Sequence, residues 1–343
     1  MRLTTGRRCN KLIYAEGGSR RRVGHTEIAS KKRYPGVIFI VVSAFFFALM
    51  NFFVKLSGDL PTMQKAFFRN LVAAAVAFVL LIRRPSQFGT IKGNVYPLVM
   101  RSLAGTLGII LNFSAIDGMD IADASILNKL SPFFAIVFSV FLLREKPSKI
   151  EWLAVAVAFV GAIFVVRPSF SAEVIPAIGG VMGGMSAGLA YTFVRKAGAN
   201  GASRNLIVFF FSASSCLMIL PFMIAGFVRM TWQQTLILLA AGASAAGGQI
   251  FITRAYTYAP AKEISVFDYT IVIFAAVLGA LFLEEWPDAL SYVGYAVIVC
   301  GAVINRVYYS VAERKKRKSG RTEPEDPDVS MPEAGKGAGD RDG

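Results

Sequence analysis

The sequence predicts an all-α polytopic membrane protein of ten transmembrane helices, arranged as two inverted five-helix repeats. Three observations predict it. Apolar residues make up 55% of the 343 positions and charged ones 17%, where an ordinary soluble chain has about 25% charged. The apolar residues fall in blocks of about twenty separated by short polar breaks, and twenty helical residues cross a ~30 Å hydrocarbon layer. A single offset of 140 residues aligns the first half of the chain with the second.

Hydropathy places the spans at 36–55, 62–82, 95–116, 121–143, 150–166, 175–194, 204–227, 233–254, 261–283 and 289–309. The first follows a head rich in Arg and Lys with no apolar core before Tyr34, so residues 1–35 read as a basic, disordered cytoplasmic tail and not as a cleavable signal. The fourth contains Pro132, four residues after Asn128, which is expected to kink it. The sixth carries Gly180, Gly184 and Gly188 on one stripe, a device that lets membrane helices approach closely. The eighth is the weakest by hydropathy because Ala240 to Gly248 is almost all Ala, Gly and Ser. After Ala312 the composition turns to Lys, Arg, Glu, Asp, Pro and Gly, so 312–343 reads as a disordered charged cytoplasmic tail. The two repeats then occupy 36–167 and 175–309.

Orientation follows from Lys and Arg. With the N-terminus cytoplasmic, the inner connections hold Arg83, Arg84, Lys92, Arg144, Lys146, Lys149, Arg195, Lys196, Arg204 and Lys262. The outer ones hold Asp59, Asp117, Asp120, Arg167, Glu173, Arg229, Glu284, Glu285 and Asp288, with only two basic residues among them. A multi-pass protein of the cytoplasmic membrane with both termini inside is the expectation. Much of the basic charge behind the net +15 lies at the two ends, in Arg2 to Arg33 and in Arg314 to Lys318, beside the spans, which fits anionic headgroups and not nucleic acid. Cys9, Cys216 and Cys300 are scattered and lack metal spacing.

The repeat rests on particular residues. Phe141 to Pro147 matches Leu281 to Pro287, and the same offset pairs Gly161 with Gly301, Asp123 with Glu263, Ser125 with Ser265 and Asn128 with Asp268. Five spans per repeat is an odd number, so the second copy enters from the opposite face. Inverted repeats place sites near the midplane between the halves and let them exchange conformations.

Ala122 to Pro132, Leu142 to Glu145 and Gly161 in the first half resemble the drug/metabolite transporter superfamily, in its EamA-domain branch. So do Ala255-Tyr256, Ala259-Pro260, Asp268-Tyr269, Leu283 to Asp288, Gly294 and Gly301 in the second. The likeness covers 36–308 and implies a central cavity between two five-helix repeats. It implies a secondary carrier of a small organic metabolite (amino acid, S-adenosylmethionine-like, vitamin or drug-like) working by alternating access. The Asp268-Tyr269 and Glu285 to Asp288 patterns are most similar to the S-adenosylmethionine and riboflavin uptake subgroups. The first span has no acidic residue at its middle, so the Glu-centred proton mechanism of the small four-helix members does not carry over.

Charged groups within spans are costly, so each is a site candidate. Lys129 and Asp268 lie about two turns into the fourth and ninth spans and approach the midplane from opposite faces if the repeats are inverted. They suit a zwitterionic substrate, and Asp268 is the candidate for a coupling proton; the alternative is a structural ion pair locking two helices. Asn128, Tyr269, Asn51, Asn112, Tyr191, Arg69 and Gln249 complete the candidate substrate-binding set. Uncharged polar groups of this kind also simply bridge helices, and Tyr256, Phe267 and Trp152 read first as packing. Lys65 and Arg69 near an outer span end are candidates for snorkelling to headgroups, and Arg101 and Arg254 near inner span ends for snorkelling or gating. Glu145 and Glu285 read as helix-end structure. There is no catalytic or metal motif: the sole histidine, His25, lies in the tail, and no phosphate loop or nucleophile elbow occurs. No cofactor is expected. The expected partners are a small-molecule substrate, the bilayer, and a proton or counter-flowing substrate. A membrane-embedded receptor or scaffold, and a membrane enzyme, are the competing readings.

Overall fold

In hydrocarbon a backbone must satisfy its own N–H and C=O groups, and among the described residues this chain does so with helices alone. The computed structural model describes residues 18–83, 89, 91–144, 146–166, 174–258 and 265–318. The tail readings over 1–17 and 319–343, and the reading of Glu145, lie outside these.

The helices are α1 (Gly18–Leu56), α2 (Thr62–Ile82), α3 (Val95–Gly118), α4 (Ile121–Asn128), α5 (Ser131–Leu142) and α6 (Lys149–Val166), then α7 (Val174–Ala199), α8 (Arg204–Ala225) and α9 (Trp232–Tyr258). A 3-10 turn over Ser265–Tyr269 leads into α10 (Thr270–Phe282), and α11 covers Ala289–Lys318. Among the described residues, nine segments are long and apolar enough to cross a membrane, α4 and α5 together forming one of them, and the tenth, Val266–Phe282, is a shorter apolar helix. The fourth crossing is therefore not continuous. It breaks at Lys129 and Leu130, with Pro132 in the first turn of α5, where its missing N–H breaks no helical hydrogen bond.

Packing follows a pseudo-two-fold rule. α3 lies on α7 as α9 lies on α1, and α2 touches α9 as α8 touches α3. α4 and α5 pack on α7, while the 3-10 turn and α10 pack on α1. The pairs α2–α8 and α6–α11 each join a helix to its own counterpart, and α4 packs on α10, so that the fourth crossing meets the ninth. Arg144 and Glu284, at matched positions, both end their helices in the left-handed region, at φ 56° and 57°.

The glycine stripe of α7 sets where this helix can sit. A Cβ on Gly184 would lie 2.6 Å from the carbonyl oxygen of Leu127, and one on Gly188 would lie 2.7 Å from that of Ser131. α7 thus rests directly on the interrupted fourth crossing. The main core cluster reaches from Ala44 in α1 to Ile298 in α11, with smaller clusters at Ile40 and Ala255 and around Leu98, Ala197, Ala202 and Ile207.

Candidate functional site

The break in the fourth crossing puts Lys129 at the C-cap of α4, its N–H donating to the Ser125 carbonyl at 3.2 Å. The 3-10 turn puts Asp268 opposite it. The Lys129 ammonium and the Asp268 carboxylate are ion-paired through Oδ2, both side chains only part-buried. The phenol of Tyr269, itself buried, donates to the Lys129 carbonyl at 3.1 Å, supplying a donor that the broken helix cannot. Asp268 Oδ1 is buried with no hydrogen-bond partner among the described residues. A buried carboxylate oxygen in that state is costly, so it is a natural acceptor for a proton, a water or a substrate donor.

Two asparagines flank this centre. Asn51 Nδ2 donates to Ser125 Oγ at 3.0 Å, and Ser125 Oγ donates to the Ile121 carbonyl at 2.5 Å. Asn51 Oδ1 and Asn112 Oδ1 are buried with no partner among the described residues. Asn128 is half-buried at the break, and the backbone of Asn112 meets α7 at Gly183. Gln249 in α9 is half-buried.

A second polar group lies between α2, α3, α7 and α8. Arg69 is 6% exposed, and its Nη1 donates to Asn70 Oδ1 at 2.6 Å. Asn70 is held in turn by its Nδ2, which donates to Ser215 Oγ at 2.8 Å. The Arg101 guanidinium stacks 4.0 Å from the centroid of Phe211. The half-exposed Tyr191 lies within electrostatic reach of both arginines. Lys65, Arg69 and Arg101 therefore do not run out along the helices toward headgroups, the reading their nearness to span ends suggested. Each is held inside the bundle: Lys65 by Asp117 of α3, Arg69 by the amide of Asn70 on its own helix, and Arg101 by the ring of Phe211 in α8.

At the end of the bundle where α1 ends, the repeats are tied together. Lys55 pairs with Glu285 at 2.8 Å and donates to the Met119 carbonyl at 2.8 Å, while Glu285 accepts from the Ile121 N–H at 2.9 Å. Lys65, fully buried, pairs with Asp117 at 2.5 Å. Gln64 exchanges hydrogen bonds with the Val228 backbone at 3.0 and 3.1 Å, and Gln234 donates to the Ser57 carbonyl at 3.2 Å. Sequence reasoning missed this belt. The available signal was the recurrence of a basic residue at Lys55 and Arg195, matched with acids at Glu285 and Glu145. Asp123 was also passed over: it is buried in α4 and accepts from Ser291 Oγ at 3.2 Å and from the Tyr295 phenol, fastening α4 to α11.

Comparison with known proteins agrees with this architecture. The model of the EamA-like transporter family matches residues 34–167 and again 174–307. The pseudopaline exporter CntI of Pseudomonas aeruginosa (strain UCBPP-PA14) is 34% identical over 272 residues, covering 78% of this chain and 94% of its own. Human solute carrier family 35 member G1 is 28% identical over 313 residues, covering 83% of this chain and 84% of its own. The riboflavin transporter of Vibrio cholerae is 25% identical over 310 residues, covering 84% of this chain and 99% of its own. A chain of known crystal structure shares the fold at a TM-score of 0.58 and 16% identity, covering 80% of this chain and 98% of its own.

Proposed function

The chain belongs to the EamA-like transporter family, and from that premise we propose that it is a secondary carrier that moves a small organic metabolite between its two repeats by alternating access. Membership makes it a multi-pass membrane transporter and not an enzyme. The finer reading rests mainly on one observation: a Lys–Asp pair formed across the repeats, where both helices depart from α geometry and one carboxylate oxygen has no partner among the described residues. In hydrocarbon such an arrangement is expensive unless it has work to do. Lys129 and Asp268 suit the two charges of an amino-acid-like or other zwitterionic substrate, and Asp268 is placed to take the coupling proton. Asn51, Asn112, Asn128, Gln249 and Tyr269 supply neutral contacts around them.

Basic residues in the 82–95, 142–149 and 199–204 connections assign that end to the cytoplasm and the ion-pair belt to the outside. The conformation is then one in which the outer end is tied shut.

The test is transport by the purified full chain in proteoliposomes, with a pooled-metabolite screen under an imposed pH gradient. Accumulation of at least one zwitterionic or carboxylate compound, lost in Asp268→Asn under the gradient but retained in part as exchange, is expected. A folded, reconstituted protein that moves nothing under any gradient overturns the reading. Gradient-driven transport that persists in Asp268→Asn removes the proton from that residue.

A further inference from the structure

We propose that Arg69 and Arg101, with the Tyr191 phenol, form a subsite that takes an anionic group, carboxylate or phosphate, of the transported molecule. The proposal deepens the carrier reading and rests on it. Two guanidiniums from adjacent helices, α2 and α3, Arg69 buried and Arg101 half-buried, are held one turn apart on α8, Arg69 through Asn70 at Ser215 and Arg101 at Phe211. Among the described residues neither is paired with a carboxylate, and the Nε of each is buried without a partner. Like charges brought together out of water repel strongly, and each carries a desolvation cost of several kcal/mol. A structural arginine resolves this cost with a fixed acid, as Lys65 does one turn away through Asp117. These two have none, so the compensating anion must come from elsewhere.

The surroundings orient both groups. Phe211 lies under the Arg101 guanidinium, a stacking contact that fixes its plane while leaving its edge free to donate. Gly105 makes room for it, since a Cβ there would fall 1.9 Å from Arg101 Nη1. The Asn70–Ser215 chain aims Arg69 from behind. Tyr191, at 49% exposure, connects the pair to accessible space and adds a neutral donor. A planar anion accepting from two guanidinium edges is the geometry in which Arg exceeds Lys. The equivalent helices of the second repeat, α8 and α9, have Arg204 at the first residue of α8 and Arg254 near the end of α9, and no other basic residue within either helix. The subsite is thus one-sided. Asp268, whose Oδ1 has no partner among the described residues, would then meet the cationic or donor end of the same molecule.

The experiment is a binding measurement on the purified full chain in lipid-free detergent, by thermal shift and intrinsic tryptophan fluorescence. The probes are glutamate, succinate and citrate in one arm, inorganic phosphate and glucose 6-phosphate in a second, and glutamine and glucose as neutral counterparts. A further arm adds phosphatidylglycerol to separate a soluble anion from a lipid headgroup. At least one soluble anion should raise the melting temperature where its neutral counterpart does not. Arg69→Gln and Arg101→Gln should weaken that anion about ten- to a hundredfold, and Arg101→Lys should do so less than Arg101→Gln. Without ligand both Gln variants should melt at or above the unsubstituted protein, because an uncompensated buried charge is gone; a purely structural arginine gives the opposite shift. If a Gln variant does not fold, Tyr191→Phe and Phe211→Leu report on the same site. Equal response to anions and neutral counterparts, unaltered anion affinity in the Gln variants, or stabilisation by the lipid alone would each overturn the subsite. Transport found without anion binding sinks the subsite and leaves the carrier reading standing; anion binding without transport does the reverse.

Discussion

The phenol of Tyr269 donates to the backbone carbonyl of Lys129 at 3.1 Å, and the two residues stand 140 apart, which is the offset of the internal repeat. They occupy equivalent positions in the two halves and meet on the pseudo-two-fold axis. Their neighbours Asn128 and Asp268 are equivalent as well. Strict symmetry would have set lysine against lysine there. The second copy instead presents an acid and a phenol, so that the like-charge contact becomes a complementary one.

The charge pair should separate stability from function. Lys129→Met and Asp268→Asn each leave a partner uncompensated, at a cost of about 1–3 kcal/mol; the 14% and 17% exposure of the two side chains keeps it below that of a dry pair. The double variant Lys129→Met/Asp268→Asn should recover most of the melting temperature lost by either single change. It should not recover transport. Thermal unfolding in detergent and uptake into proteoliposomes measure the two, and recovery of both together would reduce the pair to a lock between helices.

Tyr269→Phe keeps the ring and removes the donor. The Lys129 carbonyl at the helix break then loses the hydroxyl that satisfies it, for about 1 kcal/mol. A fall of a few degrees in melting temperature is expected, with transport slowed and substrate preference kept. A melting temperature equal to that of the unsubstituted protein would show that the break is satisfied some other way.

What could be read in advance follows the range of each interaction. Span positions were legible because burial in lipid acts on blocks of neighbouring residues, and Lys129 and Asp268 stood out because charge within such a block is rare. The repeat added the inversion that makes the two meet. The 3-10 turn at Ser265–Tyr269 left no trace in hydropathy, since its five residues adjoin the long apolar run Thr270–Phe282, whose average conceals them. Lys65 looked like a snorkelling residue because its partner, Asp117, lies 52 residues away in another helix. Arg101 looked the same because Phe211, which holds it, belongs to the other repeat.

Glu285 holds the belt through two contacts at once, the Lys55 ammonium and the Ile121 N–H. In Glu285→Gln the ion pair goes and the amide retains at most one of these bonds. The closed outer end is then less favoured by about 1 kcal/mol, roughly a fivefold shift toward the opposite conformation. A reporter cysteine at Asn51, in a protein with Cys9, Cys216 and Cys300 replaced, should react with an impermeant maleimide several times faster in this background. Unchanged labelling would mean that the belt does not set the conformational balance.

The glycines of α7 make a sharper test of how the site is held. A methyl group on Gly184 must intrude on the Leu127 carbonyl, at 2.6 Å, and backbone at the break can yield only by moving Asn128 and Lys129 with it. Gly184→Ala should therefore lower stability by about 1–3 kcal/mol and reduce transport, although it adds one carbon and touches no substrate. Gly179, on the same helix, meets only the Leu111 carbonyl at 3.7 Å, an ordinary contact. Gly179→Ala should be neutral, or stabilising by up to about 1 kcal/mol through helix propensity. Melting temperatures of the two variants, measured side by side, decide the matter: equal effects would show that α7 does not bear on the interrupted crossing, and that Lys129 is positioned without it.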